Sequence, residues 1–132
     1  MFRALNIFMA VLFALSIVVQ LNDPDPLRWI LVYAFGLLVT LMAVFGRHTV
    51  LSAVCLVIYL GGALYFARGF AALDSPINLF TDIKMDYEGV EEARESGGLL
   101  IGAAWMLVLS VVWYRGRNAS PVAADSSEET SA

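Results

Sequence analysis

Polar and charged residues gather in a few short clusters, and four apolar stretches run between them. Ala4–Leu21 is eighteen residues without a charge, and Leu27–Gly46 is twenty with Arg28 at its start. Thr49–Ala67 is nineteen and Gly97–Tyr114 eighteen, both charge-free. Each is close to the roughly 20 residues a helix needs to cross about 30 Å of hydrocarbon. Lipid offers no hydrogen bonds, so each stretch is expected to be a helix paired within itself. Alternation is weak and no ten-residue segment repeats, which excludes a β-barrel. The pattern predicts an all-α integral membrane protein, four transmembrane helices in a compact bundle.

The connections differ in kind. Asn22–Pro26 is a five-residue turn, and Arg47–His48 a tighter one. Arg68–Ser96 is long and polar; Ser75-Pro76 within it reads as a helix cap and first turn, so a short interfacial helix between spans three and four is expected. Residues 1–115 form one transmembrane domain on this reading, and 116–132 a polar tail whose Ser, Asp, Glu and Pro121 predict disorder. The first span reads as retained: Arg3 is its whole basic region, the apolar run is long, and no small-x-small cleavage site follows.

Composition agrees with the pattern. The chain of 132 residues is 60% hydrophobic and 15% charged, against the 45–50% and about 25% usual for soluble domains. A small soluble core cannot hide that much apolar surface. Soluble enzymes, disulfide scaffolds and disordered regulators are excluded. The net charge of −4 excludes nucleic acid as a partner, which needs a concentrated basic patch. Cys55 is the single cysteine and reads as a packing thiol.

The most unusual string is Gln20-Leu21-Asn22-Asp23-Pro24-Asp25-Pro26. Both prolines stop the first helix and push the preceding aspartates out of the helical region. Asp25-Pro26 also starts a helix well, with the carboxylate as cap and proline where an N–H would be orphaned. Trp29 and Tyr33 share one face, at the depth of an aromatic belt. The turn thus reads as a capped corner with an interfacial anchor, or as oxygens from Gln20, Asn22, Asp23 and Asp25 presented to a cation or polar ligand.

The second polar string, Asp86 to Glu95, runs into Gly97 without a proline. The last helix is therefore expected to begin near Glu88 and protrude from the bilayer. At 100° per residue, Glu91, Glu95, Gly98, Gly102, Trp105 and Leu109 lie on one stripe. Gly98 and Gly102 are a small-xxx-small pair that lets a neighbouring helix approach closely. Arg94 lies beside Glu91, and Glu92 points elsewhere. Ala10/Ala14, Gly36/Thr40 and Ala63/Ala67 are further packing pairs. His48 stands alone and is a poor metal site. No Walker loop, zinc-protease helix, nucleophile elbow or CxxC pair is present.

These two strings carry a family resemblance. Gln20-x-Asn22-Asp23-Pro24-Asp25 followed by Trp29 and Tyr33, with Glu91-Glu92-x-Arg94-Glu95-x-x-Gly98-Leu99 before the last span, resembles the transmembrane protein 220 family of small multi-span membrane proteins. The resemblance implies a helical membrane domain over about residues 3–115 and implies no particular activity. It marks the two polar strings as the places to look.

With four spans, the turn after the first and the helix before the fourth lie on one side. Asp23, Asp25, Glu91, Glu95 and Arg94 are then expected to converge. The reading is a non-enzymatic binding or interaction protein with an acidic polar site at one membrane face. The alternatives are a subunit of a cation-coupled transporter and a metal-assisted membrane enzyme. Against the first, no span has a charge near its middle. Against the second, no nucleophile or base stands beside the acids. No cofactor is evident, although clustered carboxylates suit a hard divalent cation such as Mg²⁺ or Ca²⁺, with Asp23, Asp25, Glu91 and Glu95 as its ligands. Lipid is the expected partner, with a second copy or another membrane protein as further partners. The basic residues tie, Arg3, Arg47, Arg115 and Arg117 on one side against Arg28, Arg68, Lys84 and Arg94 on the other. Nine of the twelve acids lie on that second side, among them those that flank Arg28 and Arg94, and they break the tie. That places both termini in the cytoplasm of a multi-pass protein, in the plasma or bacterial inner membrane.

Overall fold

A computed structural model describes residues 1–22, 25–67 and 88–119, with the backbone alone at 88–93. Four helices form an all-α bundle among these residues: α1 (Phe2–Val19), α2 (Pro26–Val44), α3 (Leu51–Phe66) and α4 (Glu88–Ala119). Phe2–Asn22, Pro26–Val44 and Arg94–Ala119 are long and apolar enough to cross a membrane. At 16 residues, α3 is shorter, about 24 Å at 1.5 Å per residue. The four apolar stretches are thus four helices, three of full spanning length. The interfacial helix expected after Ser75 lies outside the described residues, as does most of the tail, although α4 carries the chain helically to Ala119.

The bundle is built inside out relative to a soluble one. Phe8, Leu15 and Val19 of α1, Leu31 and Leu38 of α2, Val57 and Leu64 of α3, and Ile101 and Leu107 of α4 all face outward. The inner stripes mix small, polar and aromatic residues with Met9: Asn6, Met9, Ala10 and Phe13 on α1, and Ser52, Cys55, Tyr59 and Ala63 on α3. Lipid is as apolar as leucine, so burying leucine gains little there. Close approach of backbones and interhelical hydrogen bonds hold such helices together instead. Ala14 and Ala67 are exposed, unlike their partners Ala10 and Ala63. Two of the three alanine and glycine pairs read from spacing therefore contribute one packing residue each.

Neighbouring helices run antiparallel. Asn6 Nδ2 donates to the Ala43 carbonyl between α1 and α2 (3.4 Å). Ser96 Oγ donates to the Ala63 carbonyl (2.9 Å), and the Ser52 and Ser110 hydroxyls approach to 3.2 Å, at opposite ends of the α3–α4 seam. At mid-height the fully buried Tyr59 joins all four helices. Its ring stacks on Phe13 of α1 (6.1 Å between centroids) and lies over Gly102 of α4, and its hydroxyl donates to the Val32 carbonyl of α2 (3.2 Å).

The end of α2 is closed by a Schellman motif. Gly46 adopts φ 75°, the left-handed region open to glycine at little cost. Arg47 N–H then reaches the Met42 carbonyl (2.8 Å) and Gly46 N–H the Ala43 carbonyl (3.0 Å).

Candidate functional site

The first polar string lies at the end of the bundle where α1 passes into α2. Gln20–Asn22 is a single 3₁₀ turn, with Gln20 half-buried and Asn22 exposed. Asp23 lies outside the described residues. Asp25 is the N-cap residue of α2 and Pro26 the first helical position, but the carboxylate makes no side-chain cap hydrogen bond. It pairs instead with Arg28, one turn along, at 3.4 Å. Both partners are well exposed, and an ion pair in water of that kind contributes little to stability.

Trp29 and Tyr33 do not sit in an outward aromatic belt. They are 3% and 6% exposed and point into the bundle. The Trp29 ring lies 5.3 Å from that of Phe66 on α3 and 6.3 Å from that of Tyr33. The correction has a simple cause. The face of α2 that carries Trp29 and Tyr33 continues through Gly36 and Thr40 to Ala43, and that small-residue face is the one packed on the other helices.

The second string enters the same end. Arg94 and Glu95 are half-buried in the first membrane turns of α4, and Ser96 is buried beside them. Glu95 lies within electrostatic reach of Tyr33. One turn further, Gly98 supplies the floor under the Tyr33 hydroxyl: a Cβ there would stand 2.6 Å from that oxygen. A Cβ on Gly102 would stand 2.8 Å from the Tyr59 ring. Glu91 and Glu92 lie on the backbone of α4, and their side chains are outside the described residues.

Thus Trp29, Tyr33 and Gly98 come together, with Glu95 one turn before Gly98 on α4, while Asp25 and Arg28 pair with each other at the rim. Among the described residues no group of three or more His, Cys, Asp or Glu is placed to hold a metal ion. The described arrangement holds a buried phenol and indole and a half-buried carboxylate at this end of the bundle. That set can accept and donate hydrogen bonds or attract positive charge; it holds no nucleophile–base pair.

The opposite end of the bundle carries polar groups that periodicity did not mark as a cluster. Asn6 Oδ1, Thr40 Oγ1, His48 Nδ1, Thr49 Oγ1 and Trp105 Nε1 are buried without a hydrogen-bond partner. Phe2 lies across two of these rings, 6.1 Å from His48 and 6.2 Å from Trp105. The signal available in the sequence was Asn6, a polar residue inside an otherwise apolar span, where such a group needs a partner or a purpose.

Residues 12–111 match the family described as "Transmembrane family 220, helix". The chain is also similar to Transmembrane protein 220 of Xenopus laevis, 34% identical over 121 residues, an alignment covering 82% of this chain. The chain spans 58% of that relative's length. No solved structure matches.

Proposed function

The chain belongs to transmembrane family 220, and on that premise we propose that it is a non-enzymatic binding protein whose polar site lies at the Gln20–Trp29 end of the bundle. It is a multi-pass membrane protein, so a ligand reaches that site from one membrane face. The observation that supports this reading is the packing of the Tyr33 hydroxyl on Gly98, three residues past Glu95. It brings the helix that follows the first string against the helix that carries the second.

The ligand chemistry follows from charge. In sequence the two strings hold Asp23, Asp25, Glu91, Glu92 and Glu95 against Arg28 and Arg94, and an excess of carboxylates at one membrane face attracts positive charge. The ligand class is therefore cationic, either a hard divalent ion or a positively charged group on a partner protein. The transporter and enzyme alternatives gain nothing from the described geometry: the charges stand at an end of the spans, and no reacting group accompanies them.

The test is thermal unfolding of the full chain in nanodiscs with Mg²⁺ or Ca²⁺ added against an equal ionic strength of Na⁺. A ligand at 100 times its Kd adds about 2.7 kcal/mol, so the divalent ion should raise Tm by several degrees, and Glu95→Gln should remove most of the gain. Equal melting with and without the divalent ion would restrict the site to protein partners. Equal gains in parent and Glu95→Gln would remove Glu95 from the site.

A further inference from the structure

The end of the bundle away from the two strings carries a second feature. A cleft of about 410 Å³ runs along the outer face of α2, lined by Leu38, Leu41, Met42 and Phe45, with Arg47 at its end. The four apolar residues recur at i, i+3, i+4 and i+7, so they form one continuous stripe on the side opposite the buried Thr40 and Ala43. It is a shallow groove, open along its length, with walls from α2 and the turn after it alone. The Schellman turn sets Arg47 at its mouth: the left-handed Gly46 reverses the chain, and the Arg47 N–H is fixed to the Met42 carbonyl.

Charge decides what fits. Arg3, Arg47, Arg115 and Arg117 all belong to this end, because Phe2 meets His48 and Trp105, and Ser52 meets Ser110. Among the described residues, segments 1–22, 43–67 and 96–119 contain no Asp or Glu. Trp113 lies under the Arg117 guanidinium (5.6 Å), an aromatic and a base together at the level where membrane proteins meet headgroups. An apolar cleft facing hydrocarbon and ending in a guanidinium matches one molecule in two parts. The cleft takes an acyl chain, and the fork of Arg47 donors takes phosphate oxygens.

We propose that this end binds an anionic phospholipid, with an acyl chain along Leu38–Phe45 and the phosphate on Arg47. Arg47 is the specific contact; Arg3, Arg115 and Arg117 supply the attractive field around it. This site is separate from the polar mouth at the other end and does not depend on it.

The test is native mass spectrometry of the full chain released from nanodiscs of equimolar phosphatidylglycerol and phosphatidylcholine. The expected result is retention of phosphatidylglycerol over phosphatidylcholine by about fivefold or more, the attraction of one basic side chain at an anionic surface. Arg47→Gln should bring the ratio close to one, whereas the double variant Arg115→Gln, Arg117→Gln should keep most of it. Arg47 is exposed, so its replacement leaves the bundle packed. No preference in the parent, or a preference that both variants lower equally, would overturn the site in favour of none or of diffuse surface charge. Displacement of the lipid by soluble glycerol phosphate at equal concentration would show that the cleft contributes nothing, and the lipid assignment would fall.

Discussion

Gly36 stands directly under the hydroxyl of Tyr59, so close that a methyl group on Gly36 would occupy the hydroxyl's own place. This absence of a side chain lets Tyr59 reach past α2's surface to the Val32 carbonyl (3.2 Å). In a helix that carbonyl sits below the residue four positions on, so the glycine and the hydrogen bond are one device.

Gly36→Ala should therefore cost more than its size suggests. Overpacking contributes about 1–3 kcal/mol, and the displaced hydrogen bond about 0.5–1.5 kcal/mol more. Tyr59→Phe should lose only the second amount. Gly102→Leu drives a larger group against the same ring, where even a Cβ would stand 2.8 Å away, and should fall with Gly36→Ala or below it. Thermal unfolding of detergent-solubilised protein orders the three, and a Gly36→Ala that melts with the parent would mean the tyrosine can move aside freely.

Thr40 makes the opposite case. Its side chain is fully buried and Oγ1 has no hydrogen-bond partner. Replacing an unpartnered buried hydroxyl by a methyl of similar shape removes a desolvation cost and breaks no bond. Thr40→Val should leave Tm unchanged or raise it. A loss of more than about 1 kcal/mol would reveal a partner for this hydroxyl.

Arg3, Arg47, Arg115 and Arg117 share the end that lacks described carboxylates, and we propose on the positive-inside tendency that this end is cytoplasmic. A cysteine at Ser126 in a Cys55→Ser background should resist a membrane-impermeant label in intact cells and react once they are opened. Labelling of intact cells would invert the topology.

The helices were readable because span length and the absence of charge are dictated by the bilayer, whatever the packing. Which face turns inward was readable only in part. The Gly98/Gly102 spacing is visible in the sequence; that their partners are Tyr33 and Tyr59 is not, since it depends on how α2 and α3 rotate about their axes. The same rotation misplaced Trp29 and Tyr33. As isolated aromatics near a span end they suggest a belt, but Gly36, Thr40 and Ala43 on the same face draw them into the bundle. Asp25 illustrates a different limit. Capping geometry and ion pairing compete for one carboxylate, and Arg28, three residues on, takes it at a rim open to water. The unpartnered groups stayed hidden because Asn6, Thr40, His48 and Trp105 are far apart in sequence and share no motif.

The central claim is that the two polar strings form one site. Tyr33 packs on Gly98 of α4, and α2 and α4 both run inward from this end. Eight residues before Tyr33 is Asp25, and seven before Gly98 is Glu91, so the two fall at nearly the same level. The direct measurement is cross-linking of Asp25→Cys with Glu91→Cys, and separately with Glu95→Cys, in the Cys55→Ser background, using a short bifunctional thiol reagent on membranes. The account predicts an efficient cross-link for at least one pair, sharply weaker when the partner cysteine is moved to exposed Leu100 on α4. No cross-link at either Glu91 or Glu95 would place the strings apart and contradict the shared site.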